Sequence, residues 1–227
     1  MTIIMDKKNI WIVANWKSNK NLSEALSWVS VVGPRVEKRP NLKVVVCPSF
    51  IDLEEVKKAV LVGNFPLLVG AQDLSEYDVG AHTGEEAAKL LKEFVDLAIL
   101  GHSERRQGGE TDTDVAKKVL MAKTHQIEPL VCLQNEQTPV PDQVSLVAFE
   151  PITAIGTGQP DTPDDANGVA KKIKQQVPGV EVLYGGSVTS ENAKAFLQQD
   201  NLNGLLIGTA ALDPEEFVKI VEVSYGV

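Results

Sequence analysis

A glutamate stands where an apolar run of the sequence gives way to a loop rich in glycine. Glu150 follows the run 145–149 and precedes Pro151, which cannot continue the hydrogen bonding of a strand. Gly156 and Gly158 come soon after and permit backbone conformations that other residues avoid. This pattern is expected of a general base beneath a closing loop, although an ordinary solvated glutamate before a turn gives the same local pattern.

Further polar groups stand at the ends of other apolar runs. Asn15 and Lys17 follow the first run, and His102 follows the fourth. Glycine-rich turns follow the last two runs, as 185–187 and as 208–211. Turns of this kind expose backbone N–H groups at the start of a helix, which suits the binding of a phosphate group. Taken singly, a lysine after a strand is usually only solvated, and a lone histidine often serves packing or capping.

Eight apolar runs read as strands, and most are followed by segments with the apolar spacing of a helix. The predicted strands are 9–14, 42–47, 67–71, 95–100, 127–132, 145–149, 181–184 and 202–207. The predicted helices are 23–37, 49–62, 85–94, 112–125, 162–176, 190–199 and 214–223. Strands that are apolar on both faces and alternate with helices indicate a parallel sheet covered by helices.

Eight such units predict an α/β fold, a closed (β/α)₈ barrel that forms one domain over residues 1–227. An open, doubly wound sheet is the alternative. Only 17 residues separate Cys132 from Glu150, and they include Pro139 and Pro141. A parallel crossover normally needs a helix, so the helix between strands five and six is predicted to be missing or reduced to a turn.

Composition narrows the class of protein further. The net charge of −9 disfavours general attraction to nucleic acid. Cys47 and Cys132 each lie in an apolar run, which favours buried thiols, not a disulfide, and therefore predicts an intracellular, cytoplasmic location. No membrane segment is expected. His82, His102 and His125 lack the spacing of metal ligands and no dinucleotide motif follows strand one, so no metal or other cofactor is expected.

Five segments together resemble the signatures of the triosephosphate isomerase family, in order from strand one to strand eight. They are Asn15-Trp16-Lys17, residues 101–106 (GHSERR), residues 148–158 (AFEPITAIGTG), Tyr184-Gly185-Gly186-Ser187-Val188 and Leu206-Ile207-Gly208. The second and third are highly specific, whereas the first or fourth alone would be weak. The resemblance implies interconversion of dihydroxyacetone phosphate and glyceraldehyde 3-phosphate through a cis-enediolate, in central carbon metabolism.

The resemblance also implies a role for each catalytic residue. Glu150 matches the base, His102 the neutral electrophile and Lys17 the cation that stabilises the enediolate. Asn15 matches the residue that positions Lys17, and Glu104 matches the carboxylate that pairs with Lys17. Ser103 is expected in the cap position of a helix beside His102, and Arg105 and Arg106 are expected to tie loops together.

Substrate contacts follow from the same resemblance. Asn15 and Lys17 are expected to touch substrate, and the backbone N–H groups of Gly156, Ser187, Gly208 and Thr209 are expected to hold its phosphate. Tyr184 and the Ser187 hydroxyl match groups that latch the closed lid. Thr153 stands where the lid hinge usually carries tryptophan, Pro160 should stiffen the second hinge, and Thr209 replaces a glycine of the phosphate turn.

A homodimer is also implied. Loop 72–84 keeps the family's length, and the residue matching Thr83 reaches toward Asn15 and Lys17 of the partner subunit. Two rivals remain open on the residues alone. Another phosphate-binding barrel enzyme is one, although an aldolase of the Schiff-base type would want lysine where Glu150 stands. A non-catalytic barrel is the other, and it would be expected to lack Lys17, His102 or Glu150.

Overall fold

A closed barrel of eight parallel strands forms the centre of the molecule, in the order β1 to β8 with β8 pairing back to β1. The computed structural model describes residues 8–151 and 161–227. The strands are Ile10–Asn15 (β1), Leu42–Cys47 (β2), Leu67–Ala71 (β3), Leu97–Leu100 (β4), Glu128–Leu133 (β5), Leu146–Phe149 (β6), Glu181–Tyr184 (β7) and Gly204–Ile207 (β8). The barrel predicted from the sequence is confirmed, and the open sheet is wrong.

Helices surround the barrel. They are Leu22–Val32 (α1), Leu53–Val62 (α2), Ala88–Leu91 (α3), Ser103–Gln107 (α4), Asp112–Thr124 (α5), Pro163–Gln176 (α6), Ala193–Leu197 (α7) and Pro214–Ser224 (α8). Shorter 3₁₀ turns occupy Gly33–Arg35, Phe50–Asp52 and Thr209–Leu212. No helix within the described ranges is long and apolar enough to cross a membrane.

Two apolar cores result from the alternation of side chains along each strand. The inner core fills the barrel and contains Trp11, Val13, Val45, Cys47, Leu97, Ile99, Leu130, Cys132, Leu146, Ala148, Leu183 and Leu206. The outer core lies between the strands and the helices, and includes Trp16, Trp28 and Phe217, whose rings contact one another in sequence. Because both faces of the strands are buried, the sequence shows continuous apolar runs and no polar alternation.

The connection between β5 and β6 contains no helix, as the sequence predicted. Residues 134–145 are all described, and they form turns in which the Thr138 hydroxyl accepts hydrogen bonds from the N–H groups of Gln134 and Asn135. Val144 is buried and Val140 packs against the outer core, so this segment covers the outside of β5 and β6 in place of a helix.

Several helices differ from the sequence-based prediction. The helix predicted at 23–37 ends at Val32, before the 3₁₀ turn Gly33–Arg35, and the one predicted from 49 begins at Leu53, after the 3₁₀ turn Phe50–Asp52. The segment 85–94 is helical only at α3, and 190–199 only at α7, because the residues before each helix make hydrogen bonds in loops instead. The short helix α4 follows His102 directly, so its N-cap is His102 and not Ser103. A histidine ring nitrogen accepts the capping hydrogen bond, a pattern that propensity rules for serine do not anticipate.

Candidate active site

Glu150 lies at the mouth of the barrel immediately after β6, with 2% of its surface exposed. Its Oε2 atom accepts a hydrogen bond from the N–H of Ser103 (3.0 Å), and its Oε1 atom lies 2.9 Å from Nε2 of His102. Gly185 leaves room for this side chain, since a Cβ atom at 185 would lie 2.9 Å from Cγ of Glu150. The carboxylate is therefore buried and held by two donors.

His102 follows β4 and presents both ring nitrogens to hydrogen-bond partners. Its Nδ1 atom accepts from the N–H of Glu104 (3.2 Å), so this nitrogen carries no hydrogen. The single ring proton is then on Nε2, which faces Oε1 of Glu150. The ring therefore directs an N–H donor at Nε2 into the same space as the carboxylate.

Lys17 follows β1 in a left-handed backbone conformation, with φ of 53°. Its N–H donates to Oδ1 of the buried Asn15 (3.0 Å), and its carbonyl accepts from Nε2 of Gln72 (2.8 Å). The ammonium group lies 2.7 Å from Oε1 of Glu104, with both side chains partly exposed. Asn15 at the end of β1, Gln72 directly after β3 and Glu104 in α4 thus fix where this cation lies.

Two turns with exposed backbone groups complete the mouth of the barrel. Residues 185–187 follow β7, and Gly208 follows β8 before the 3₁₀ turn that begins at Thr209. Gly208 lies against Lys17, since a Cβ atom at 208 would be 3.8 Å from its Nζ atom. Thr209 is exposed and its φ is not positive. Threonine in place of the family's glycine therefore causes no left-handed backbone strain at this position.

One cavity of about 760 Å³ joins these groups. Its lining includes Asn15, Lys17, His102, Glu150, Ser187, Gly208 and Thr209. Glu104 lines a neighbouring cavity of about 360 Å³ that shares Asn15, Lys17 and His102 with the first. Gly156 is the one expected substrate-binding residue that lies outside the described residues. The hinge positions Thr153 and Pro160 also lie outside them.

Tyr184 ends β7 with its hydroxyl beside the segment that follows the glycine-containing loop. The hydroxyl accepts a hydrogen bond from the N–H of Asp161 (2.9 Å), and the ring stacks on Phe196 at 4.1 Å. Burial raises the pKa of Tyr184 to about 12, so the hydroxyl stays neutral at physiological pH. Gly186 is needed here, since a Cβ atom at 186 would lie 2.1 Å from the hydroxyl oxygen.

Arg105 and Arg106 do not line the 760 Å³ cavity. They connect loops, as expected. Arg105 pairs with Asp73 of the loop after β3 at 2.9 Å, and Arg106 donates to the Gly101 carbonyl (2.8 Å) and pairs with Asp112. The turn that carries His102 is therefore attached to both neighbouring segments.

Gln72 and Cys132 are site residues that sequence reasoning missed. Gln72 contacts the Lys17 carbonyl and also the Cys47 carbonyl (3.0 Å). Burial, followed by the neighbouring Glu150 carboxylate, raises the pKa of Cys132 well above its usual range, which keeps the thiol neutral beside that carboxylate. The only signal for either was its position at or near a strand's C-terminal end.

In the described ranges, no group of three or more His, Cys, Asp or Glu side chains is placed to hold a metal ion. The site contains a buried carboxylate, an imidazole N–H donor and an ammonium group beside two backbone turns. A barrel with such groups at the C-terminal ends of its strands defines a (β/α)₈ enzyme that moves protons on an anionic substrate.

Comparison with known proteins narrows this class to one family. Residues 10–224 match the family model described as triosephosphate isomerase. Relatives named triosephosphate isomerase include those of Caldanaerobacter subterraneus subsp. tengcongensis and Thermoanaerobacter pseudethanolicus, each 38% identical over 92% of this chain and 97% of the relative. That of Aquifex aeolicus is 35% identical over the same shares. The chain belongs to the triosephosphate isomerase family.

Family membership confirms the resemblance seen in the sequence, and with it the isomerase activity on a small phosphorylated triose. The two rival interpretations, another phosphate-binding barrel enzyme and a non-catalytic barrel, are therefore rejected.

Proposed function

We propose that Glu150, His102 and Lys17 carry out the interconversion of dihydroxyacetone phosphate and D-glyceraldehyde 3-phosphate through a cis-enediolate. The observation that supports this division of labour is the single cavity that all three side chains line, beside the turns at Ser187 and Gly208. A carboxylate, a neutral donor and a cation are what abstraction of a proton beside a carbonyl requires.

Glu150 is the base in this proposal. Its carboxylate leaves the Ser103 N–H and His102 Nε2, rotates toward the substrate and takes a proton from the carbon beside the carbonyl. The same carboxylic acid returns the proton to the neighbouring carbon. The 2% exposure of Glu150 supports the role, because the carboxylate acts in a site from which water is largely excluded.

His102 acts on the two substrate oxygens. Its Nε2–H donates to the carbonyl oxygen as negative charge develops there, and protons then pass between the two oxygens of the enediolate. The hydrogen bond from the Glu104 N–H to Nδ1 supports this role, since it keeps the proton on the nitrogen that faces the cavity.

Lys17 stabilises the negative charge of the bound substrate and of the enediolate oxygen. Asn15 and Gln72 hold its backbone, and Glu104 holds its ammonium group. The N–H groups of Ser187, Gly208 and Thr209, with Gly156, are proposed to bind the phosphate. Backbone donors fit a phosphate dianion on a chain of net charge −9, because they need no cluster of cations.

The test is a coupled isomerase assay on the wild type and on Glu150→Gln. Glutamine keeps the size of the side chain and can still accept from the Ser103 N–H, but it cannot take a proton. We expect the rate to fall by several orders of magnitude while the circular dichroism spectrum stays unchanged. An equal rate in the variant would refute the role of Glu150 as base.

We also propose a homodimer formed by the loop 72–84. Residues 77–86, an arm that begins within this loop and continues two residues past it, are all exposed. The arm is nevertheless structured, since the rings of Tyr77 and His82 stack at 4.3 Å. The neighbouring 360 Å³ cavity, lined by Asn15, Lys17 and Gln72, offers a place for Thr83 of a second copy. A dimer would thereby cover both the arm and this cavity.

We further propose that the chain forms one domain and that the protein is cytoplasmic. The closed barrel and its last helix α8 extend to residue 224, which supports a single domain over residues 1–227. A cytoplasmic location is proposed because Cys47 and Cys132 are both free, buried thiols.

A further inference from the structure

The turn after β7, which carries Ser187, is held in place by two side chains that no role above includes. Asn192 accepts a hydrogen bond from the N–H of Thr189 (2.9 Å) and donates to the carbonyl of Ser187 (3.0 Å). One amide side chain therefore bridges the two ends of the segment 187–189. This bridge restricts the orientation of the peptide groups on either side.

Glu216 holds the same turn from a different element. It lies in the first turn of α8, and its two oxygens accept from the N–H (2.7 Å) and the hydroxyl (3.0 Å) of Ser190. Lys219 is the nearest cation, at 3.9 Å. Since α8 directly follows the 3₁₀ turn that begins at Thr209, Glu216 connects the turn after β7 to the turn after β8.

The turn after β8 has its own supports. Nε1 of Trp28 donates to the Ala211 carbonyl (2.9 Å), and Nζ of Lys20 donates to the Leu212 carbonyl (2.7 Å). This turn is thus fixed to the outer core. The turn after β7 has side-chain supports of a different kind, from Asn192 and Glu216. Both of these side chains also line the 760 Å³ cavity together with Ser187 and Thr209.

We propose that Asn192 and Glu216 are positioning residues that set the distance and orientation of the Ser187 N–H relative to the N–H groups of Gly208 and Thr209. They do not touch the reacting carbon. Their effect is on the binding of the phosphoryl group, because a dianion held by backbone donors needs several N–H groups aimed at one point. This inference rests on the proposed phosphate site.

The role of Glu216 is a tether and not a charge effect. A carboxylate beside a bound dianion would oppose binding if its charge dominated. Glutamine at 216 can still accept from the Ser190 N–H and contact the Ser190 hydroxyl without the charge. The tether therefore predicts that Glu216→Gln resembles the wild type and that Glu216→Ala does not, whereas a charge effect predicts tighter phosphate binding in both variants.

The experiment measures steady-state kinetics for Asn192→Ala, Glu216→Ala and Glu216→Gln with D-glyceraldehyde 3-phosphate and with unphosphorylated D-glyceraldehyde. Binding of inorganic phosphate is measured separately by calorimetry, without turnover. For each alanine variant we expect KM and the Kd for phosphate to rise about tenfold, the effect of one lost hydrogen bond in an aligned set. The loss in kcat/KM should be about tenfold smaller with glyceraldehyde.

Glu215→Ala is the matched control. Glu215 also lies in the first turn of α8, but it pairs with Arg35 on the outer surface (2.6 Å). We expect wild-type phosphate binding in this variant. Equal losses on the two substrates, or unchanged phosphate binding in the alanine variants, would overturn the inference. If Glu150→Gln kept full activity while phosphate binding still weakened as expected here, the proposed base would fail and the positioning role would stand.

Discussion

Lys17 illustrates how a single backbone conformation places a functional group. A non-glycine residue with positive φ costs about 1–3 kcal/mol and persists only where its surroundings hold it. Asn15 and Gln72 supply the contacts that hold Lys17 in this conformation. The sequence indicated the lysine because it follows an apolar run. It could not indicate the left-handed conformation, which depends on Gln72, a residue distant in sequence.

Lys17→Met should reduce kcat/KM by two or more orders of magnitude. A cation that faces the bound anion contributes several kcal/mol to binding of the substrate and of the enediolate. Lys58→Met is the matched control: Lys58 lies on α2, where it pairs with Glu54 (2.7 Å) and Glu55 (2.8 Å), and it does not line the cavity. The control removes the same charge and should keep most of the activity. Steady-state kinetics on both variants would contradict the role of Lys17 if the two losses were equal.

Lys8 makes the stability depend on pH. Burial, followed by the ammonium group of Lys174, lowers the pKa of Lys8 from 10.5 to about 8. Between these pH values the unfolded chain binds more protons than the folded one, so this group makes the free energy of unfolding rise with pH. Lys8→Met should therefore be more stable than the wild type at pH 7, and this difference should shrink toward pH 10.5.

Urea denaturation of Lys8→Met at pH 7, 9 and 10.5 would measure that difference. Lys43→Met is the control for the loss of a lysine. The ammonium group of Lys43 lies over the Trp11 ring at 4.0 Å, so its removal also costs a contact, but we expect that cost to stay the same across these pH values. A difference between Lys8→Met and wild type that does not change with pH would show that the depressed pKa of Lys8 has no effect on folding.

At the scale of elements, long segments with strong capping signals follow the sequence closely and short ones do not. The helix α5 was predicted at 112–125 and occupies Asp112–Thr124, with Thr111 and Asp114 forming a capping box. The helix α7 is shorter than predicted because the Ser190 N–H donates to Glu216 of α8, and the Asn192 side chain accepts from the Thr189 N–H, instead of continuing a helix. Apolar spacing reports burial, but it does not report such competing polar contacts.

The helix α6 offers a test of an element's start. The Thr162 hydroxyl accepts from the Asp165 N–H (3.2 Å), and Pro163 occupies the first helical position. Thr162→Ala should cost about 1 kcal/mol, which lowers Tm by about 2–4 °C in a chain of this size. Thr124→Ala, whose hydroxyl donates within the last turn of α5, should change Tm by less. Scanning calorimetry on both variants decides, and equal shifts would contradict a capping role.

At the scale of the whole molecule, the alternation of strands and helices predicted eight parallel strands, but closure of the barrel also requires β8 to approach β1 closely. Gly204 of β8 lies against β1, and a Cβ atom there would be 2.0 Å from the Trp11 carbonyl oxygen. The sequence contains this glycine without any pattern that marks it. From the sequence, only the number of strand–helix units favours a barrel over an open sheet. The contact between Gly204 and Trp11 joins strands far apart in the chain, so no local pattern predicts it.

Assembly belongs to the same scale. Val79 lies on the arm 77–86 and is 45% exposed, so Val79→Asp should dissociate the proposed dimer, by placing a charge at the contact. Leu120 of α5 is 60% exposed and lies outside the arm, so Leu120→Asp should leave the dimer intact. Sedimentation velocity would report the masses. A monomeric wild type, or a dimeric Val79→Asp, would contradict assembly through this arm.

The helix-free connection over β5 and β6 has a consequence for how the molecule responds to heat. Val140 and Val144 of this connection supply the apolar contacts with the outer core that a full helix supplies in other crossovers. Fewer buried contacts lower the free energy of local opening, so amide hydrogens of β5 and β6 should exchange with deuterium before those of β1 and β2. Because β6 leads into Glu150, warming should abolish turnover at a temperature where most of the ellipticity survives.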